Sequence, residues 1–344
     1  MNKKLVTSLI VFILLLAGAA FAFSRITRPG GPALELTPLA VSTQPLSGAA
    51  TPAVASVSDR PIPAQPAAQD KPCGGSGSIN LLMLGLALDN DPRPPGVDGI
   101  RLVRVNFDSP AVTVMALPPK LWVDTPALAA QGIEQSELTE LYVYAKQQAE
   151  SSADTAAGAA ALIATRAVAQ TLMDNFGFRT GNYFSLDQPL FAEMVDTLGG
   201  IDMDIPGRVD GTSEGRGLFE PGPQHLDGQR ALDYISISRP GGARRSNEWA
   251  RIARQNQVLK VLVETAGRPE NWSKAPVLLE QYRRAVTTDL SVRQLWDLSC
   301  LVRAVGSDAQ LVEIERDMVT EGQDGRLFPE KEKIRLLIEQ NFGK

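Results

Sequence analysis

Ile79-Asn-Leu-Leu-Met-Leu-Gly-Leu86 is a near-continuous apolar run closed by small residues, the pattern of a strand buried on both faces. A strand of that kind needs cover above and below, so the rest of the chain is constrained to layer itself over a sheet. Two more strands are expected next. Ile100 to Phe107 mixes apolar and basic positions, Asp108-Ser-Pro110 makes a turn, and Val112 to Leu117 returns before Pro118-Pro119 stops the ladder. The loop between the first two strands carries Asp89, Asp91, Arg93 and Asp98. Charged side chains at the mouth of an apolar sheet are where α/β folds most often build a ligand site.

Ahead of this sheet the composition changes twice. Lys3 and Lys4 precede an uncharged stretch from Leu5 to Phe23, which at helical rise nearly spans a hydrocarbon core. The positive-inside bias places the N-terminus in the cytoplasm and the remainder outside. Residues 1–25 therefore read as a single transmembrane anchor, with a cleaved signal peptide as the alternative because Gly18 to Ala22 offers small residues at the right place. Both readings export the domain. Residues 26–78, rich in Pro, Ala, Ser, Thr and Gly, cannot bury enough surface to offset their ordering entropy and read as an extracytoplasmic spacer.

Charge and composition exclude several function classes. The 344-residue chain has a formal net charge of −5, against the basic surplus of a general nucleic-acid binder. Its one histidine, His225, disfavours His-centred triads and multi-His metal sites. Cys73 and Cys300 fit neither a zinc site nor a CxxC redox motif, and in an exported protein they are a disulfide candidate joining the start of the globular part to a late helix.

Further along, periodicity and breakers predict helices over 137–150, 155–176 and 189–198, and strands at Tyr183 to Leu186 and Ile201 to Ile205. Gln224 to Asp233 reads as a short helix entering a strand over Tyr234 to Ser238. Arg239, Arg244 and Arg245 flank the turn at Pro240-Gly-Gly242. In the long helix from about Asn247, Glu248, Arg251, Arg254 and Gln255 are three or four residues apart and can adjoin one face, a ready anion site. The remaining segments, 275–281, 292–305, 311–315 and 329–341, read as covering helices around one short strand.

Several pieces in order resemble the LytR-CpsA-Psr family, also called the cell envelope-related transcriptional attenuator domain. They are Asn80-Leu-Leu-Met-Leu-Gly85, Asp98 before a strand, Val112 to Val123, Phe191 with Val195-Asp-Thr-Leu-Gly-Gly-Ile201, Leu226-Asp-Gly-Gln-Arg-Ala-Leu-Asp-Tyr234, and Arg251-Ile-Ala-Arg-Gln255. The resemblance covers roughly 79–265. It implies a three-layer α/β/α domain with a central mixed sheet after one membrane helix; residues 266–344, beyond the resemblance, read from their pattern as a helical extension packed on the same domain. It also implies movement of glycopolymers from a polyprenyl-pyrophosphate carrier to the cell wall, with magnesium and arginines holding the pyrophosphate and an apolar tunnel holding the lipid.

The departures from the family pattern are as informative. Ala87 stands where the family has an Asp, with Asp89 two residues on as a substitute. Gly96-Val97-Asp98 replaces Arg-Ser/Thr-Asp, Pro118-Pro119-Lys120 replaces Pro-Arg-Asp, Glu137 stands at a basic position, and Ser236-Ile-Ser238 replaces Arg-x-Arg with Arg239 one position late. The resemblance thus implies Asp98 and Arg251 as catalytic groups, Asp98 and Asp89 as magnesium ligands, and Arg254, Gln255, Glu248, Arg239 and Lys120 as substrate contacts. A simpler reading makes Lys120 and Arg239 surface charges, Asp89 a turn former and His225 structural. Two functions stay open on the sequence: a phosphotransferase acting on a lipid-linked glycan, and a degenerate member that binds polyprenyl lipid or wall polymer without turnover.

Overall fold

The computed structural model describes residues 73–87, 96–152, 159–244, 247–274, 277–278, 280–281, 286–305 and 309–343. The apolar run lies in β1, Ser78–Ala87, followed by β2, Gly96–Asn106, and β3, Ala111–Leu117. Helices α1, Leu138–Ser151, and α2, Ala160–Phe176, come next. Then follow β4, Asn182–Asp187, α3, Gln188–Leu198, and β5, Ile201–Ile205. After these come β6, Gly222–Leu226, α4, Gly228–Ser236, and α5, Glu248–Ala266. The described chain continues through β7, Val286–Thr288, α6, Val292–Val305, β8, Gln310–Val312, and α7, Lys331–Phe342.

Burial on both faces puts β1 inside a six-stranded sheet of order β7-β4-β1-β2-β3-β8. Neighbours β1 and β4, and β3 and β8, are parallel, while β1 with β2, β2 with β3 and β4 with β7 are antiparallel, so the sheet is mixed. Leu81 and Met83 face one core, shared with Phe191, Tyr234, Val258 and Leu298 of α3 to α6. Leu82, Leu84 and Leu86 face the other, shared with Leu141, Val168, Phe176 and Ile338 of α1, α2 and α7. The result is three layers.

The region after residue 265 differs from the helical extension expected. Its strands β7 and β8 close the two edges of the sheet, so it completes the sheet as well as covering it. Three-residue strands give too short a pattern to separate from loop, which is why only the second was legible. Cys73 and Cys300 are joined, with Cα atoms 5.4 Å apart, and the bridge ties the segment before β1 to α6.

The strand expected over Tyr234 to Ser238 is instead the last part of α4 and the turn after it. Asp227 caps that helix by accepting from the Arg230 amide at 2.8 Å, and Ala231, Leu232 and Tyr234 then fall on its buried face. The alternation of Tyr234-Ile-Ser-Ile-Ser mimics a strand only because the helix is so short. Upstream, residues 222–226 pair with β5 rather than coil into helix, and His225 Nδ1 meets Asp202 Oδ1 across that pair at 2.7 Å, a structural role.

The anchor and most of the spacer, with Asp89, Asp91, Arg93 and Arg245, lie outside the described residues. Among the described residues no helix is long and apolar enough to cross a membrane.

Candidate active site at the ends of β1 and β4

Gly85 pairs with Gly99 but Leu86 pairs with Val97, so Asp98 is the extra residue of a bulge in β2. A bulge re-aims a side chain out of strict alternation, and here it turns Asp98 toward α5. Asp98 Oδ1 accepts from Arg251, and Oδ2 accepts from Gln188 Nε2 at 3.1 Å. The Asp98 carbonyl accepts from Gln255 Nε2 at 3.1 Å. Arg251 also donates to Glu248, one helical turn earlier. Three elements therefore meet at one point: the bulge of β2, the start of α3 and the first turns of α5. Glu248, Arg251 and Gln255 are all buried, and Glu248 Oε1 has no hydrogen-bond partner among the described residues.

Beside this cluster is an apolar cavity of about 110 Å³. Met83, Phe184, Phe191, Leu232, Ile235 and Leu259 contribute to its walls, and Asp98, Arg101 and Gln255 line it as well. Parallel β1 and β4 both end there, the usual position of a site in a doubly covered sheet.

Arg101, in sequence only one of the basic positions of β2, also lines this cavity. It is buried at 5% exposure and donates to Ile100 O at 3.1 Å, Gln255 Oε1 at 3.0 Å and Asn256 Oδ1 at 3.1 Å. Burial, reinforced by the charge of Arg251, lowers its pKa to about 10. The available signal was its phase: Arg101 shares the inward face with Val103 and Val105, which belong to the core.

The other expected site residues are dispersed. Arg254 is buried, but its Nε donates to Tyr234 O at 2.9 Å and its Nη2 to Ile237 O. It thus satisfies carbonyls at the C-terminal end of α4, and burial lowers its pKa. Arg239 is exposed, and its backbone amide donates to Glu214 at 2.6 Å. Lys120 is partly buried on the side of Glu137. Burial raises the Glu137 pKa; Lys120 opposes that rise, and Glu140 and Glu248 add to it. Among the described residues no three His, Cys, Asp or Glu side chains gather as a metal cluster. The unpartnered Glu248 Oε1 beside Asp98 is the feature that fits a cation.

Comparison with known proteins gives this geometry a context. Over 116 residues the chain is 27% identical to the polyisoprenyl-teichoic acid–peptidoglycan teichoic acid transferase TagV of Bacillus subtilis, covering 33% of this chain and 29% of that protein. Over 134 residues it is 25% identical to TagU of Halalkalibacterium halodurans, a transferase of the same description, covering 39% of this chain and 42% of the relative. The matched stretches thus span less than half of those relatives. The fold is similar to the crystal structure of B. subtilis TagV, with a TM-score of 0.56 and 18% identity over 78% of this chain and 98% of that one. It is also similar to a LytR-Csp2A-Psr enzyme from Actinomyces oris, with a TM-score of 0.53 and 19% identity over 80% and 96% of the two chains. TagT bound to LI-WTA matches with a TM-score of 0.53 and 16% identity over 81% and 95%. The family model described as LytR_cpsA_psr matches residues 57–333, which takes in both edge strands as well as the Asp98 bulge, and the chain belongs to the LytR-CpsA-Psr family.

Proposed function

We propose that the protein transfers a glycopolymer from a polyprenyl-pyrophosphate carrier to a cell-wall polymer, on the outer side of the cytoplasmic membrane and tethered there by residues 1–25. The observation that carries this reading is the juxtaposition of an apolar cavity with the Asp98–Arg251–Glu248 cluster, in which Arg251 and Glu248 are buried and Asp98 is partly exposed. A substrate with an apolar tail and a doubly phosphorylated head needs both. The transferase descriptions of TagV and TagU support it.

In this reading a hydroxyl of the acceptor attacks the glycan-bearing phosphorus. The bond from that phosphorus to the bridging oxygen breaks, polyprenyl monophosphate leaves, and the hydroxyl proton passes to solvent or to a carboxylate of the cluster. In this reading Gln255, and Arg251 once substrate competes with its two carboxylates, donate to phosphoryl oxygens as charge develops on the leaving group. Asp98 and Glu248 hold the Arg251 guanidinium in position from two sides. Asp98 and Glu248 are also the carboxylates that would hold a magnesium ion, which would supply positive charge to phosphoryl oxygens. The cavity of about 110 Å³ is smaller than the ~150 Å³ that accommodates benzene, so a tail of several isoprene units would need its walls to move apart.

The test is to incubate the full-length protein with a lipid-linked glycan and peptidoglycan fragments, and to follow the fragments by mass spectrometry. Fragments that gain the glycan and one phosphate support the transferase. Lipid that binds and stays intact would make this a lipid-binding protein on the same fold.

A further inference from the structure

We propose that Arg101, a residue of the sheet itself, is the cation that receives the lipid phosphate inside the apolar cavity. The inference rests on the reading of that cavity as the lipid site and names the group that would hold the head of the ligand there.

Arg101 pairs with Met83 of β1 and Ala116 of β3, so its side chain rises from the middle of the sheet into the layer occupied by α5. It lines the cavity together with Met83, Phe184 and Leu232. Its three acceptors, Ile100 O, Gln255 Oε1 and Asn256 Oδ1, are all neutral. A guanidinium has five N–H donors. Two of them, one on Nη1 and the one on Nε, have no acceptor among the described residues.

The charge is uncompensated as well. The carboxylates of Asp98 and Glu248 are both turned to Arg251, and no described carboxylate forms an ion pair with Arg101. The effect of Arg251 on Arg101 is repulsive. Burying a cation among neutral acceptors is unfavourable unless a countercharge arrives. A phosphate monoester or diester entering with its apolar tail supplies that countercharge and meets the two remaining N–H groups with charge-assisted bonds. Arg251 is less available to it, being held by two carboxylates already. Arg254 is spent on the carbonyls of α4 and Arg239 is at the surface.

The alternative is a structural role, in which Arg101 only holds Gln255 and Asn256 of α5 against the sheet. Titration calorimetry of the full-length protein in detergent separates the two, with geraniol, geranyl phosphate and geranyl diphosphate as probes. The wild type is expected to bind geranyl phosphate about 10–100-fold more tightly than geraniol, the value of one or two charge-assisted hydrogen bonds. R101M is expected to lose that preference while keeping its affinity for geraniol within about threefold, the margin of a side chain of similar volume, and R101K to keep part of the preference. R239M serves as the surface control and leaves it unchanged. A preference for phosphate that survives intact in both R101M and R101K would overturn the inference and leave the cavity as a lipid site. If the wild type binds none of the three probes, the lipid reading of the cavity falls and this inference with it.

Discussion

Asp98 and Arg251 lie 153 positions apart in the chain and meet as a partly buried ion pair beside the apolar cavity, with Glu248 on the other side of the same guanidinium. The pair exists because a one-residue bulge in β2 turns Asp98 toward α5. It links the sheet to the helix that carries Glu248 and Gln255.

Removing the shared cation should be far worse for stability than removing one of its partners. R251A leaves two carboxylates facing each other in a buried site, and its cost is expected at about 3–5 kcal/mol. D98N keeps a hydrogen-bond acceptor for Arg251 and leaves Glu248 as its countercharge, so it should cost about 1–2 kcal/mol. In the double variant D98N/R251A the losses should be less than additive, because the repulsion that penalises R251A is gone. Urea unfolding of the four proteins measures the coupling.

The acid-side behaviour should carry a signature of Glu137. Burial raises its pKa in the folded state above the 4.5 of an unperturbed glutamate, with Glu140 and Glu248 adding to the rise and Lys120 opposing it. The folded state thus holds this proton more tightly than the unfolded one, and the stabilisation it provides is present below 4.5 and lost as pH rises through the folded value. E137Q should therefore be more heat-stable than wild type at pH 7, with the difference vanishing by pH 4. A difference that grows toward acid pH would contradict the assignment.

Much of the fold was legible because strong, local signals agreed with burial. The apolar runs of β1 and β3, the Gly177 and Gly199 stops of α2 and α3, and the i, i+3, i+4 spacing on α5 all survive in the structure. The partition of the site was not legible. Spacing groups Arg254 with Arg251 on one helix, but only the tertiary position of α4 decides that Arg254 faces carbonyls. Arg101 was hidden because a charged residue in a strand reads as an exposed position until the sheet is seen to be covered on that face. Asp98 was found by resemblance, whereas the bulge that aims it has no sequence signal.

Helices α3 and α4 approach so closely that their contact should tolerate no side chain at one position. A Cβ on Gly228 would lie 2.1 Å from the Ala192 carbonyl oxygen. G228A is expected to destabilise by about 1–3 kcal/mol through the displacement of one helix. G207A, where a Cβ would meet nothing within 4 Å, should stay within about 0.5 kcal/mol of wild type. Chemical denaturation of both variants gives the comparison.

The Cys73–Cys300 bridge closes a loop with a sequence separation of 227, which restricts the unfolded chain more than the folded one. Its loss in C73S/C300S should cost about 2–5 kcal/mol, seen as a lower urea midpoint that matches wild type under reducing conditions. Equal midpoints for wild type in oxidising and reducing buffer would contradict the role.

The central claim is that the Asp98–Arg251 pair serves phosphoryl transfer from a polyprenyl carrier. The most direct measurement is the rate at which full-length wild type, D98N and R251K release polyprenyl monophosphate from a polyprenyl-pyrophosphate glycan, with and without magnesium, read by mass spectrometry of the lipid. The account predicts release by wild type and a loss of about 100-fold or more in both variants, the scale of removing one oriented charge at a developing anion, under conditions where both remain folded. Release that persists at the wild-type rate in D98N and R251K would place the chemistry elsewhere, and intact lipid in all three samples would contradict the transferase itself.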